Sequence, residues 1–394
     1  MLGAYRSRKA EKKAKKAAER DKFTREMEEF SLSVLGKPLG VPGSLGEKEK
    51  WWCKHYEWLQ GLGYLLRARY APGWTPSWQG TSKYWFECED GVIPMAPQVL
   101  DATRLSDGKP VTLKIISKSR HPLEVEIGRF FSGEPLASDP ANHCVPIFDV
   151  FKVPDDDDLM IIVMPALLLF YRPPFDTFGE VVECIRQLLE GLQFMHKHYV
   201  AHRDCMDLNI MTDGTVMFPE PYHPSRPRMR LDMRGYARHF TRTQRPPKYY
   251  FIDFGISCRF DPSNGPPLEV PIRGGDKTVP ELQDCSHEPR DPFPTDIYFL
   301  GNAFREHFTA TNHGFEFLEQ FVLEMIQTDL SKRPTADELV SRFEIIRKGL
   351  SSWKLRSRVI PKHSDIVEHL TRAPAHWARR IGFVAKGVSP LPSS

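Results

Sequence analysis

At Thr177 the apolar pattern of this chain changes period. Beyond it, Val181, Ile185, Leu188, Leu192 and Met195 recur at i, i+4, i+7, i+11 and i+14, the spacing of one helix face. Upstream, the pattern is that of short strands. Residues 96–103 and 109–117 flank Ser106-Asp107-Gly108, a turn signal, and residues 143–153 and 159–163 are parted by the acidic turn 155–158. Residues 122–131 read as one short helix among them, and further helical segments run from Asp296 to Leu350. Strands first and helices after, with no internal repeat, predict an α+β protein: a β-rich lobe, an α-rich lobe and a cleft between them.

The bulk properties narrow the class. The 394 residues suffice for one large or two medium domains. A net charge of +3 excludes a polyelectrolyte, so nucleic acid is disfavoured unless a local patch binds it. Seven cysteines, at 53, 88, 144, 184, 205, 258 and 285, form no C-x-x-C pair. With no secretory signal, that pattern points to reduced thiols in an intracellular compartment, cytoplasmic or nuclear, rather than a disulfide frame or zinc site. The most apolar run, Leu159 to Phe170, is twelve residues long and contains a proline, too short to span a bilayer. No membrane association is expected.

The ends carry different signals. Residues 6–25 hold ten Lys/Arg against three Asp/Glu and almost no apolar face, which reads as a mobile charged arm; nuclear localisation or an acidic partner is the functional alternative. Residues 31–50 are rich in Gly, Pro, Ser and Leu and read as a linker. Trp51, Trp52, Trp58, Trp74, Trp78 and Trp85 follow. Aromatics at this density can stack nucleic acid, but more often they supply buried area, so this block reads as an extension packed on the domain after it. The expected organisation is an arm and linker over 1–50, an aromatic extension over 51–85, a main domain over 86–350 and a basic tail over 351–394.

Within the main domain several motifs stand in order. Val111-Thr112-Leu113-Lys114 is followed by the helix over 122–131 that carries Glu124, with Glu126 as an alternative acidic position. Then come His202-Arg203-Asp204 with Asn209, Asp253-Phe254-Gly255, Val279-Pro280-Glu281, Asp296-Ile297-Tyr298 with Gly301, and Asp329 to Thr335 carrying Arg333. Each alone is weak, but seven in order over residues 99–345 are not. The chain resembles the eukaryotic protein-kinase superfamily. Leu65 to Trp74 (LLRARYAPGW) and Tyr249 to Gly255 (YYFIDFG) make it most similar to the divergent protein-kinase-like proteins of mushroom-forming fungi.

The resemblance implies a bilobal fold, with an N-lobe over 86–165, a C-lobe over 168–350 and a basic insert over 212–248. It implies ATP and Mg²⁺ as cofactors and transfer of the γ-phosphate to the hydroxyl of a protein substrate, Ser/Thr favoured and Tyr left open. In that scheme Asp204 accepts the hydroxyl proton. Asn209 and Asp253 hold Mg²⁺, because hard cations prefer oxygen donors. Lys114 holds the α/β-phosphates, and Glu124 holds Lys114. Val99, Met164, Ala166 and Leu167 would surround the adenine, with Pro165 to Leu167 as the hinge. Ser257, Ser263 and Thr278 are candidate phosphorylation sites, with Arg203 as the receiving charge.

Three departures bear on activity. Val92, Pro94 and Pro97 occupy the positions of the family's phosphate-gripping glycines, and proline has no N–H to offer. Met206 stands where Ser/Thr kinases carry a lysine. Residues 226–248 hold Arg226, Arg228, Arg230, Arg234, Arg238, Arg242, Arg245 and Lys248 against only Asp232, a patch suited to an acidic or phosphorylated partner, although such runs are more often solvated loops. The first two departures open a competing reading, a pseudokinase that binds partners without catalysis. A small-molecule kinase of the choline or aminoglycoside type is a further competitor, disfavoured by Arg203 and the Glu281–Arg333 pairing.

Overall fold

The computed structural model describes residues 43–92, 96–283, 287–363 and 366–392, with scattered residues of the arm between 11 and 26. The helix propensity of the arm, and Pro94 and Cys285, therefore concern positions largely outside the described residues. The chain is mixed α+β. It forms two compact units: one built from residues up to 115 together with 220–238, the other from 116–219 and 239–394. Among the described residues, no helix is long and apolar enough to cross a membrane.

In the first unit, helices α1 (Glu47–Lys54) and α2 (Tyr56–Gly61) lead into strand β1 (Tyr64–Leu66). Strand β2 (Val99–Arg104) pairs antiparallel with β1 and with β3 (Pro110–Ser117), setting Val99 opposite Lys114 and Ala102 opposite Val111. The alternation that predicted strands is visible in what they bury: Leu100 and Ala102 face the core with Val111 and Leu113. The β2–β3 turn closes through Gly108, whose φ of +70° is costly for any other residue, and through Asp107, which accepts from Arg104 at 2.7 and 3.0 Å.

The aromatic extension is packing material, held by buried ion pairs. Trp52 and Trp78 are buried, Trp51, Trp58, Trp74 and Trp85 half-buried, and Trp52 Nε1 donates to the Pro97 carbonyl at 3.1 Å. Arg69 donates to both Glu49 oxygens at 2.6 and 3.1 Å and lies over the Trp74 ring. Trp74 Nε1 in turn donates to Asp90 at 3.0 Å. Arg67 bridges Glu89 and Asp101, each at 3.1 Å. The stretch Leu65–Trp74 is thus an internal clasp of this unit. Residues 220–238 belong to it as well: Tyr222–His223 pairs with Arg226–Arg230, and Arg226 donates to the Phe86 carbonyl at 3.2 Å.

In the second unit, α3 (Glu124–Ser132) precedes the antiparallel pair β4 (Asp149–Lys152) and β5 (Leu159–Pro165). The strand expected over 143–153 is shorter. His143 to Val145 leave β4 and bond to 249–251 instead: Phe251 N donates to the His143 carbonyl at 2.7 Å, and Val145 N to the Phe251 carbonyl at 2.9 Å. The central helix α4 (Phe178–Lys197) begins where the period changes, with Thr177 as N-cap accepting from Glu180 N–H at 3.3 Å. Val181, Ile185, Leu188, Leu192 and Met195 are all fully buried in the core. Gly191 lets His143 pass close; a Cβ there would lie 2.5 Å from the His143 Cβ. Helices α5 (Phe293–Phe304), α6 (Glu316–Met325) and α7 (Ala336–Gly349) complete the bundle. Where a basic tail was expected, α8 (Ile366–Ala385) forms and is tied to the unit by Arg379, which donates to Asp176 at 3.0 Å.

Candidate active site

The loop after α4 is held by one buried carboxylate. Strand residues Val200–Ala201 pair with Cys258–Arg259 and deliver the chain to His202. Asp296, fully buried at the start of α5, accepts from Arg203 N at 2.6 Å, His202 N at 2.8 Å and His196 Nε2 at 3.0 Å. His202 donates through Nε2 to the Ile252 carbonyl at 3.0 Å and accepts from Asp204 N at 3.3 Å through Nδ1. With Arg203 at φ +68°, these bonds impose a backbone that a free loop would not adopt. The sequence marked Asp296 only as the start of a buried helix; its hold on residues almost 100 positions away left no local signal.

Asp204 and Asn209 meet. Asn209 Nδ2 donates to Asp204 Oδ2 at 2.9 Å and to its carbonyl at 2.8 Å. Oδ1 accepts from Gly275 N at 2.7 Å. Burial pushes the Asp204 carboxyl above its ordinary range; the Gly275 N–H and Asn209 oppose that shift, and the nearby charge of Asp253 adds to it. Asp253 sits at φ +67°, with Oδ1 accepting from Gly255 N at 3.2 Å. Gly255 is crowded: a Cβ there would lie 3.0 Å from Asp253 Oδ1 and from His121 Nδ1, and 3.3 Å from Glu124 Oε2. Glu124 is buried on α3, whereas Glu126 is exposed. One unit thus holds Asp204 with Asn209, and Asp253 with Glu124 at Gly255, the charge of Asp253 reaching Asp204.

The other predicted residues lie as follows. Lys114 and Val99 are register partners in the first unit, with Lys114 buried. Met164 is buried near the end of β5, and Ala166 and Leu167 follow half-buried. The Val92 carbonyl accepts from Arg67 at 2.9 Å and the Pro97 carbonyl from Trp52 at 3.1 Å, so both are tied into the aromatic extension. Met206 lies under the segment that follows Asp253: a Cβ on Gly275 would fall 2.1 Å from its sulfur, and one on Gly274 would fall 2.3 Å from Asp204 Oδ1. At Gly274 a side chain would displace the Asp204 carboxylate, which Gly275 and Asn209 hold; at Gly275 it would displace only the flexible end of Met206.

That segment is anchored at both ends. Glu281 accepts twice from Arg333 at 2.8 Å and once from Thr295 at 2.7 Å, with both side chains of the ion pair buried. Burial opposes the charge on Glu281, but Arg333 outweighs it and holds the carboxyl below its usual range. Arg203 donates to the Val270 carbonyl at 2.6 Å and faces Glu269 at 3.7 Å, so this guanidinium already has an anion. Among the candidate modification sites, Ser257 is corrected: it is buried and donates to the His202 carbonyl at 2.9 Å, out of reach of any modifying enzyme in the folded chain. Ser263 is exposed, and the Thr278 hydroxyl donates to Asp276 at 2.8 Å.

The basic insert divides. In the second unit Arg242 is buried, donates to the Phe170 carbonyl at 2.7 Å and lies 4.0 Å over the Phe175 ring, while Lys248 sits over Tyr250. In the first unit Arg228, Arg230, Arg234 and Arg238 are exposed beside Tyr236. The patch is therefore smaller than its residue count implies.

Among the described residues no three His, Cys, Asp or Glu side chains cluster as a metal site. A divalent ion would rest on Asp253 and Asn209, with its remaining ligands from water or phosphate. That donor set fits Mg²⁺, which keeps several waters and takes only one or two protein carboxylates. No protein-family model matches the chain, and no curated protein is significantly similar to it.

Proposed function

We propose that the chain is a protein kinase of the eukaryotic superfamily, in its divergent fungal kinase-like branch, with the bilobal fold of that family. It transfers the γ-phosphate of ATP to a hydroxyl of a protein substrate, Ser/Thr in preference to Tyr. The observation that carries this reading is Asp204 bonded to Asn209, on a loop whose backbone a buried carboxylate constrains, with the charge of Asp253 near it. Asp204 is the general base: its raised pKa brings it closer to working pH, where a base transfers protons most effectively. Asn209 orients it, and because a carboxylate oxygen carries two lone pairs, the Gly275 N–H fixes Oδ1 without consuming it. Asp253 and Asn209 would hold Mg²⁺, which when bound offsets charge on the transferring group. Lys114 would bind the α/β-phosphates, Glu124 would hold Lys114, and Val99, Met164, Ala166 and Leu167 would receive the adenine. The exposed arginines 228, 230, 234 and 238 would meet an acidic or phosphorylated partner.

A second reading, a binding module without catalysis, is favoured by Val92 and Pro97 being tied to the extension and by the Met206 thioether beneath Gly275. Thermal shift with ATP, with and without Mg²⁺, and transfer of labelled γ-phosphate to a generic protein substrate separate the two. Mg²⁺-dependent stabilisation is expected, lost in Asp253→Asn. Transfer should fall by roughly 10²–10⁴ in Asp204→Asn. Stabilisation without transfer, or no stabilisation by ATP, would overturn the kinase reading and leave the binding module.

A further inference from the structure

Beside the start of α4, the second unit holds a cavity of about 10 Å³, where basic side chains share the wall with the apolar Phe383 and Pro390. Asp176, Thr177, Arg356, His376, Arg379 and Arg380 line it. Asp176 is the one carboxylate among its described lining residues, and it is already committed. Its Oδ2 accepts from Arg379 Nε and Nη2 at 3.2 and 3.0 Å, and its Oδ1 faces His376 Nδ1 at 3.3 Å. Asp176 and Arg379 therefore cancel.

Arg356 and Arg380 remain, with no acidic partner among the described residues. Arg380 is only 8% exposed. It spends one N–H on the Trp353 carbonyl at 3.4 Å, and its guanidinium lies 3.8 Å from the Trp353 ring centre and 4.9 Å from that of Trp377. Arg356 spends one N–H on the Val388 carbonyl. A guanidinium has five N–H donors, so most are unused in both. Burying a cation without an anion is costly, and a fold normally avoids it or pairs it.

We propose that this cavity is an oxyanion site that takes a phosphate group. Two unmatched guanidiniums balance a phosphate dianion. Thr177 accepts from Glu180 N–H and so keeps its own proton to donate. The positive end of the 20-residue α4 adds attraction in the same place. The cavity holds about one oxygen atom, so the ligand enters by one oxygen and leaves the rest at the mouth. Free phosphate and a phosphoryl group on a chain share that chemistry. None of these residues belongs to the candidate active site, so the proposal stands apart from the kinase reading.

Titration calorimetry of the full chain with inorganic phosphate, at ionic strength held constant with chloride, tests it. Saturable binding to one site is expected, weakened roughly a hundredfold in Arg356→Gln/Arg380→Gln, since each lost charge-assisted bond is worth about tenfold or more. Asp253→Asn should bind phosphate unchanged, which keeps this site distinct from a nucleotide site. Arg356→Gln alone, at a half-buried position, provides the test if the double variant does not fold; it should weaken binding about tenfold. Absent binding, equal binding by the arginine variants, or loss in Asp253→Asn would each overturn the proposal. A phosphoserine peptide that binds more tightly than phosphate, through the same arginines, would assign the group to a partner chain; no gain over phosphate would assign the free ion.

Discussion

The corner where Glu281 meets Arg333 and the cavity beside α8 both bury an arginine, on opposite terms. Arg333 has a carboxylate on two of its donors, carbonyls of Gln327 at 2.7 Å and Pro294 at 2.9 Å on others, and the Tyr298 ring against its face. Arg380 has aromatic faces and one long bond to a carbonyl. The first is a closed account of charge and acts as a fastener for the segment ending at Glu281. The second is open, and an open cation in a folded wall waits for an anion. Arg69 with Glu49 in the first unit belongs with the closed type.

Three measurements test that contrast. The largest effect is expected for Arg333→Ala, which strands Glu281 as a buried charge and should cost about 3–5 kcal/mol in denaturant unfolding of the second unit. A loss below about 1 kcal/mol would remove the fastening role.

Next in size is a pH effect in the first unit. Burial, and then Arg67, holds His223 down to about 4, from an ordinary value of 6.5. A depressed folded value means the unfolded chain takes the proton first. Stability is therefore complete above 6.5 and is lost as the pH falls towards about 4. Protonation there would place a further cation beside Arg67 and Arg226. Thermal unfolding across this window should show a fall of at most about 2 kcal/mol after screening, flattened in His223→Asn. An equally steep fall in the variant would assign the effect elsewhere.

The smallest effect is expected for Arg380→Gln: under about 1 kcal/mol in either direction, since lost cation–π contact is set against removal of an unmatched charge. A cost equal to that of Arg333→Ala would make Arg380 structural and erase the contrast.

Parts of this architecture were legible in the chain alone. Thr177 and the spacing from Val181 to Met195 mark the start and buried face of α4, because helix capping and face periodicity are local properties. The β2–β3 hairpin was readable around Asp107-Gly108 for the same reason. The order of Lys114, Glu124, Asp204, Asn209 and Asp253 was readable too. That Asn209 and Asp253 act on one Asp204 carboxylate rests on Asp296 and Gly275, far away in sequence.

Where elements begin, which faces are apolar and which residue types carry chemistry can be read along the chain, since these depend on neighbours within a few positions. Tertiary structure decided which charges are matched. The run of cations over 226–248 looked uniform, yet Arg242 is buried on carbonyls and an aromatic ring while Arg228 to Arg238 face solvent. His143 to Val145 had a strand pattern and went to a partner about 100 residues on. Pairing of charges and of strand edges is a property of distant chain segments brought into contact, and no local pattern encodes the partner.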